Sequence, residues 1–289
     1  MKNLTFGLEI EFVDVDRTLV KLPEGCGFNN WEFTLVNSNG IAVDTRKKPT
    51  NTFGGEINTK PTNTIEEQVK VFSDCIKSLK KAGKPAVNFR CNIHVHLGLS
   101  EELQNVETLK KIQKYSFENT DDLLRGCMGN DQFVKPEGMP HATWLHYRER
   151  SVQPWRHEML MKAETLKEFW SAFFADTKGN YHPVTFHRQP CNVHSFYKTK
   201  TIEFRVFYGS LDPNIIRDCL LFCKQYLENA LLKTPIPVKK YVGGYEFPEP
   251  SKFDMKLELG FLETRCNNPK TDQSIVRMKE FIKQRDKKK

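Results

Sequence analysis

The sequence predicts an α+β protein in which helices are inserted between the strands of a sheet. Strict alternation of apolar and polar residues marks four strands, over residues 4–13, 31–36, 91–98 and 201–208. Between them apolar residues recur every three or four positions, which is the helical period. The outward pairs on several strands are drawn from Glu, His and Arg, which is unusual for a merely solvated face.

Local signals place the helix ends. Thr64 and Glu67 form a capping-box pattern at the start of one helix. Ser100 is expected to open a second helix. Asp212 is a good N-cap for the last helix, and Pro213 fits its first turn. The four helices are expected over residues 64–83, from residue 100 onwards, over 157–175 and over 212–232.

A chain of 289 residues suits one large domain or two small ones. We expect a main domain over residues 1–235 and a C-terminal extension with a basic tail over 236–289. Residues 253–259 alternate and are expected to form an edge strand of that extension. Residues 126–156 are rich in Gly, Pro, Arg and His without a sustained period, so we expect a long loop, and loops of that length are usually functional.

The net charge of +8 suggests an anionic partner, but most of it sits in the tail. Residues 277–289 hold seven Lys or Arg against two acidic residues, so the first 276 residues carry only +3. A tail of this kind is usually solvated, although contact with nucleic acid stays open. The eight cysteines lack the spacing of a disulfide framework or a zinc finger, and Cys219 and Cys223 are expected to be buried.

No apolar run approaches the roughly 18 residues that a membrane-spanning helix needs. The first residues alternate apolar and acidic side chains and lack the apolar core of a secretory signal. We therefore expect a cytoplasmic protein with no membrane partner. Its oligomeric state is open, because no heptad pattern or interface stripe is evident.

Several strands direct chemically active side chains to one face. In GLEIEF, Glu9 and Glu11 lie on one side of a strand, and the apolar residues lie on the other. In NIHVHLG the outward residues are His94 and His96, and in TIEFRVF the outward Glu203 pairs with an arginine. Each strand taken alone is explained by solvent exposure. Together they form a set of residues that bind divalent cations and phosphates.

The composition of this set indicates the ion. Several carboxylates with one imidazole suit Mg2+ or Mn2+, whereas zinc prefers more His or Cys ligands. An arginine beside them suits a phosphoryl group in transfer. The chain has neither a Walker A loop nor a GxGxxG motif, so a nucleotide, if bound, is expected to be held by metal ions and basic side chains on the sheet.

The ordered motifs GLEIEF, GGEINTKP, NIHVHLGLS and TIEFRVFYGSLDP resemble those of the amidoligase family, whose members share the fold of glutamine synthetase and glutamate-cysteine ligase. The resemblance covers about three quarters of the chain. It implies a funnel-like antiparallel sheet of the glutamine synthetase type, with a catalytic face lined by Glu, His and Arg and with helices packed on the other face. It also makes residues 1–235 the catalytic domain.

The resemblance assigns roles to individual residues. It implies five metal ligands: Glu9, Glu11, Glu56, His94 and Glu203. His96 would lie near the phosphates, Arg205 would contact the transferred phosphate, and Asn192 would orient nucleotide or substrate. Apart from the resemblance, Lys60 and Arg148 are further candidates for substrate binding. Arg148 shares the long loop with His146, Arg150 and Arg156, which either clamp a carboxylate or phosphate of the substrate, since Arg binds in a bidentate way, or are simply solvated. His157, His182, His187 and His194 are expected to be structural.

The function implied is an ATP-dependent carboxylate-amine ligase that forms an amide through an acyl phosphate, with Mg2+ or Mn2+. Its partners would be a small or peptide carboxylate and an amine, and the sequence does not select among them. Two alternatives stay open. One is a metal-dependent hydrolase built on the same Glu and His cluster, and the other is a nucleic-acid-binding protein that uses the basic tail.

Overall fold

A computed structural model describes residues 4–29, 34–36, 42–44, 53–87, 91–119, 123, 154–175 and 189–232. Several predictions lie outside these residues. They concern the loop from 126 to 153 with His146, Arg148 and Arg150, the histidines His182 and His187, the boundary near residue 235, and the extension with its edge strand at 253–259.

The core of the fold is a six-stranded antiparallel sheet in the order β2-β5-β1-β6-β8-β7. Its strands are β1 (Thr5–Asp16), β2 (Gly27–Phe28), β5 (Phe53–Asn58), β6 (Asn92–Gly98), β7 (Cys191–Asn192) and β8 (Thr201–Tyr208). A separate hairpin pairs β3 (Thr34–Val36) with β4 (Ala42–Asp44). The described sheet is open, with β2 and β7 at its edges.

Six helices accompany the sheet in the described part of the chain. They are α1 (Ile65–Ala82), α2 (Val106–Glu118), α3 (Pro154–Lys162), α4 (Leu166–Phe174), α5 (His194–Thr199) and α6 (Pro213–Leu232). Helix α6 contacts α1, α2 and β6, and α1 also contacts β1. These helices therefore form a layer on the apolar face of the sheet. None of the helices within the described residues is long and apolar enough to cross a membrane.

Alternation along the central strands builds the core. On β1, Leu8, Ile10 and Phe12 are buried, and the apolar residues of β6 and β8 are buried in the same layer. Phe72 of α1 and Tyr226 of α6 are fully buried and belong to the same cluster. Burying one side chain of this size contributes roughly 1.5–3 kcal/mol. The prediction of an α+β fold with an antiparallel sheet is confirmed, and the funnel shape stays a prediction.

Two predicted helices differ in the structure. Ser100 precedes only a short 3-10 turn at Glu101–Leu103, and α2 begins later because the Asn105 side chain accepts a hydrogen bond from the Thr108 amide. The single helix predicted over 157–175 is two helices. Thr165 caps α4 through a capping box with Glu168, which ends α3 and starts a new helix.

The other elements agree closely with the sequence. The strand predicted over 201–208 and the helix predicted from Asp212 match β8 and α6. Cys219 and Cys223 are buried free thiols, as predicted. Of the strand predicted over residues 31–36, the structure describes residues 34–36, which form β3. Five of the described elements have no counterpart among the predicted strands and helices: β2, β4, β5, β7 and α5. Strands of two residues, such as β2 and β7, and a helix of six are too short to show a period.

The capping box of α1 forms as predicted and gives a test of the fold. The Glu67 amide donates to Thr64 Oγ1 at 3.2 Å, and the Thr64 amide donates to the Glu67 carboxylate at 3.2 Å. We expect Thr64→Ala to lower the free energy of unfolding by about 1 kcal/mol in urea denaturation, because an amide at the helix start loses its acceptor. Thr64→Ser keeps the hydroxyl and should retain most of the stability. Equal stability of the Ala and wild-type proteins would contradict this role for the cap.

Candidate metal centre

The register of four neighbouring strands brings the predicted polar residues to one face. Glu9 of β1 lies opposite His94 of β6, and His96 lies opposite Glu203 of β8. On the other side of β1, Glu11 lies opposite Glu56 of β5. Because directly opposed residues of an antiparallel pair project to the same face, these residues form one continuous polar surface. The helical layer covers the opposite face.

Glu9, His94 and Glu203 form the centre of this surface. The distance from His94 Nδ1 to Glu9 Oε2 is 2.5 Å, and that from His94 Nδ1 to Glu203 Oε1 is 3.7 Å. One ligand atom from each of the three residues lies within 4.8 Å of the others. His94 is 2% exposed and Glu203 is 4% exposed. Such a buried group of two carboxylates and an imidazole is suited to bind a cation.

The Glu203 carboxylate is held on both oxygens. Oε2 accepts hydrogen bonds from Asn192 Nδ2 and Ser195 Oγ, each at 2.7 Å. Oε1 contacts the Arg205 guanidinium and is the oxygen nearest His94 and His96. Asn192 is itself fixed, because its Oδ1 accepts from the His194 amide at 3.0 Å. Asn192 therefore positions a carboxylate of the cluster, and it lies fully buried.

Ser195 was not predicted. It stands in the short helix α5, three residues after Asn192, and no motif in the sequence marks it. Only the folded chain shows that its hydroxyl reaches Glu203. The Asn192 side chain was predicted to orient nucleotide or substrate, and its contact with Glu203 places it within reach of the same site.

Glu11 and Glu56 lie further along the same face, each with its own amide partner. The Glu11 carboxylate accepts from the Asn92 backbone amide at 2.8 Å and from the Asn92 side chain at 3.2 Å. Glu56 accepts from the Asn29 side chain. Both glutamates are buried. They face each other across β1 and β5 and do not join the tight group around His94.

Burial and the neighbouring positive groups act in opposite directions on the pKa values of Glu9 and Glu203. Burial alone would raise the pKa of Glu9, but its contacts with His94 and His96 hold that pKa well below the usual range. Burial would also raise the pKa of Glu203, and Arg205 together with the two histidines lowers it. Both carboxylates are therefore charged at neutral pH.

The pKa values of Glu11 and Glu56 are raised, in contrast to those of Glu9 and Glu203. Burial raises the pKa of Glu11. Burial, followed by the charge of Glu9, raises the pKa of Glu56 to about 7. Burial acts to lower the pKa of His94 and His96, but Glu9 and Glu203 outweigh it and raise both values. Each of these four groups therefore holds a proton more readily than the same side chain in water does.

The donor set fits Mg2+ or Mn2+. Carboxylate oxygens outnumber imidazole nitrogens at the centre, and no thiol is among the ligand atoms grouped there in the described chain. Four glutamates share the face with two histidines and one arginine, so with ionised carboxylates and neutral imidazoles there are four negative charges to one positive charge in a partly desolvated place. A divalent cation lowers the cost of that arrangement more effectively than protons do, because it compensates two charges at once.

The remaining predicted residues lie elsewhere. Lys60 is exposed and follows the end of β5. Arg156, expected in the long loop, is a buried residue of α3 whose guanidinium donates to the Ala175 carbonyl at 2.5 Å. Its role in the described chain is to join α3 to the end of α4. His157 stacks on Phe117 with ring centroids 4.1 Å apart, in agreement with a structural role.

The fold and the cluster define an α+β protein with a buried carboxylate and imidazole site on an antiparallel sheet. Residues 42–227 match the family model described as "Putative amidoligase enzyme", and the chain belongs to this family. The resemblance seen in the motifs is thereby confirmed, and it supports a carboxylate-amine ligase. The matched range includes β5, β6 and β8, whereas β1 with Glu9 and Glu11 precedes it. The pairing of β1 with β5 and β6 joins those two glutamates to the family's matched strands.

Among solved structures the chain is similar to a bifunctional glutathione synthetase from Pasteurella multocida. The two are 15% identical with a TM-score of 0.34, and the likeness covers 97% of this chain. The chain spans 46% of the length of that structure. No curated protein sequence matches the chain.

Protons and a cation should compete for this cluster. The pKa of Glu56 is raised to about 7, and the pKa values of Glu11 and His94 are raised as well, so protons compete with Mn2+ for these groups. We therefore expect Mn2+ to bind more tightly as the pH rises from about 6 to about 8, and free Mn2+ measured by electron paramagnetic resonance gives the affinity. An affinity that stays constant over this range would contradict the competition.

Proposed function

We propose that this protein is an ATP-dependent ligase that joins a carboxylate to an amine through an acyl phosphate, with Mg2+ or Mn2+ at the sheet face. The observation that supports it most is the grouping of Glu9, His94 and Glu203 beside Arg205. Family membership supports the ligase class. The ATP requirement and the acyl phosphate are the parts of the proposal that need direct tests.

Three residues would bind the cation, and two others would orient one of these ligands. Glu9, His94 and Glu203 would hold the cation, which would neutralise phosphate charge when bound. Asn192 and Ser195 would keep the Glu203 carboxylate turned so that Oε1 faces the cluster. In that orientation Glu203 would bind the cation without a rotation of its side chain.

Arg205 would stabilise the phosphoryl group during transfer. Its side chain is 24% exposed, so it borders the solvent side of the cluster, and its guanidinium contacts Glu203 Oε1. A fixed positive group at this place would offset the charge that develops on the phosphoryl oxygens. The acceptor carboxylate would attack the γ-phosphorus of ATP and ADP would leave, which gives the acyl phosphate. An amine would then attack the acyl carbon, lose a proton and displace inorganic phosphate, which gives the amide.

Glu11 and Glu56 would contribute to a second cation. They are opposed across β1 and β5, and burial raises the pKa of each despite the hydrogen bonds from Asn92 and Asn29, so a negative charge there is costly. A second ion at this end of the face would stabilise both carboxylates. Lys60 and Arg148 remain candidate substrate contacts. Residues 126–153, the part of the predicted loop that precedes α3, remain the candidate cover that would keep water from the acyl phosphate.

The first experiment separates the ligase from its alternatives. We expect the melting temperature to rise with ATP and Mg2+ together and to rise less with either one alone, because the ion joins the phosphates to the cluster. A shift with the metal and none with nucleotide would favour a hydrolase on the same residues. No shift with either, but salt-sensitive RNA or DNA binding that needs residues 277–289, would favour the nucleic-acid-binding alternative.

Turnover tests the acyl phosphate directly. Hydroxylamine captures acyl phosphates as hydroxamates, so we expect ATP-dependent hydroxamate formation with at least one member of a panel of amino acids, dipeptides and small dicarboxylic acids. Phosphate release should accompany it in equal amount. Hydroxamate formed without ATP would contradict the proposal and favour acyl transfer by hydrolytic chemistry.

Arg205→Ala should reduce kcat by roughly 10²- to 10³-fold, as loss of one preorganised group at a developing charge usually does. Arg217→Ala is a matched control, because Arg217 is an exposed residue of α6, in the helical layer on the opposite face of the sheet. An Arg205→Ala enzyme that keeps wild-type kcat would remove Arg205 from the mechanism, even if the ligase reaction is present.

A further inference from the structure

A chain of hydroxyl groups leads from α5 to His96. His96 Nδ1 lies 3.1 Å from Thr201 Oγ1, and Thr201 Oγ1 lies 2.8 Å from Thr199 Oγ1. Thr199 Oγ1 in turn donates to the backbone carbonyl of Ser195 at 2.7 Å. This series of hydrogen bonds therefore joins His96 on the sheet face to helix α5, whose Ser195 also donates a hydrogen bond to Glu203.

The directions of these hydrogen bonds follow from the number of hydrogens. A threonine hydroxyl has one hydrogen, and a carbonyl oxygen can only accept. Because Thr199 donates to the Ser195 carbonyl, its oxygen must accept from Thr201. The hydrogen of Thr201 is then used, so Thr201 Oγ1 must accept from His96. His96 Nδ1 therefore carries a hydrogen in the neutral and in the cationic ring alike.

The other ring nitrogen faces the carboxylates. His96 Nε2 lies 3.3 Å from Glu9 Oε1 and 3.9 Å from Glu203 Oε1. The atom is buried and makes no hydrogen bond of normal geometry with any described residue. In the neutral ring Nε2 holds a lone pair, since the hydrogen is on Nδ1. A lone pair beside two carboxylate oxygens suits a cation and is unfavourable without one.

The spacing agrees with a shared ion. Two ligands bound about 2.1 Å from one octahedral ion lie roughly 3 Å apart when adjacent and roughly 4.2 Å apart when opposite. The distances from His96 Nε2 to Glu9 and to Glu203, and the 3.7 Å between His94 Nδ1 and Glu203, lie between these two values. Shifts of up to about 0.5 Å would bring each pair to one of them. The 2.5 Å contact of His94 with Glu9 is too short for two ligands of one ion, so this pair must separate when the ion enters.

We propose that His96 Nε2 is a cation ligand beside Glu9, His94 and Glu203, and that Thr201 and Thr199 are positioning residues that select the ring tautomer able to bind. This gives the site a second imidazole in place of a phosphate contact, so two carboxylates and two imidazoles would bind the ion, a donor set that favours Mn2+ over Mg2+. The arrangement is that of a metal-ligating histidine whose second nitrogen is fixed by hydrogen bonding. The inference rests on the cation site of the proposed function.

The first test reads the tautomer in the cation-free protein. Nitrogen-15 chemical shifts of His96 at alkaline pH, where the ring is neutral, should show the hydrogen on Nδ1 in the wild type. Thr201→Val keeps the branched shape of the strand residue and removes the acceptor, so the hydrogen should move to Nε2. Thr201→Ser keeps the hydroxyl and should behave as the wild type does. A wild-type ring with the hydrogen on Nε2 would overturn the inference.

The second test measures Mn2+ affinity in the same variants. Thr201→Val should weaken Mn2+ binding by roughly 10- to 100-fold, as loss of a partner of a ligating histidine does, and Thr201→Ser should restore it. His96→Ala should weaken binding at least as much. Thr199→Val, at an exposed position of α5, provides a second variant if Thr201→Val is unstable, and it should weaken binding in the same direction.

The outcomes separate this inference from the proposed function. Mn2+ binding that Thr201→Val and His96→Ala leave unchanged would overturn the ligand role of His96 and leave the site at Glu9, His94 and Glu203 intact. Absence of Mn2+ binding in the wild type would overturn the cation site itself, and this inference with it.

Discussion

Four carboxylates, those of Glu9, Glu11, Glu56 and Glu203, share one largely buried face of the sheet, and their mutual repulsion is the constraint on which the site depends. Desolvated like charges are costly unless each is compensated. Each carboxylate has its own hydrogen-bond donors, and Arg205 and the two histidines add positive charge. The raised pKa of Glu11 and of Glu56 shows that this compensation is incomplete. A divalent cation is the chemical partner that completes it.

The same face exists only because the strands keep one register. A shift of one residue in β1 would exchange Glu9 and Glu11 with Leu8, Ile10 and Phe12, and the carboxylates would then face the helical layer. Packing of α1 and α6 against the apolar face therefore fixes the chemistry of the opposite face. The central position of β1 in the sheet puts Glu9 between the strands that carry Glu56 and His94.

Much of this site could be predicted from alternation, since residues two apart on a strand share a face. Glu9 with Glu11, His94 with His96, and Glu203 with Arg205 were found in this way, and the structure brings these strands together. Which opposed residues meet depends on register, and no local pattern encodes it. That is why the separation of Glu11 and Glu56 from the group around His94 was not predicted.

The supporting residues were harder to find for a physical reason. Ser195, Thr199 and Thr201 act through single hydrogen bonds across a short helix and a strand, and such contacts have no periodicity. The break between α3 and α4 is a different case. Thr165 and Glu168 form the same capping box as Thr64 and Glu67, so the start of α4 could have been predicted from the sequence. It was missed because apolar residues continue across the boundary and suggested one long helix.

The most direct test of the central claim is a crystal structure of the protein grown with Mn2+, with the ion located by its anomalous scattering. The account predicts an anomalous peak between the side chains of Glu9, His94 and Glu203, within about 2.0–2.3 Å of their ligand atoms. Crystals that show Mn2+ bound at other side chains, with these three still in direct contact with one another, would contradict it.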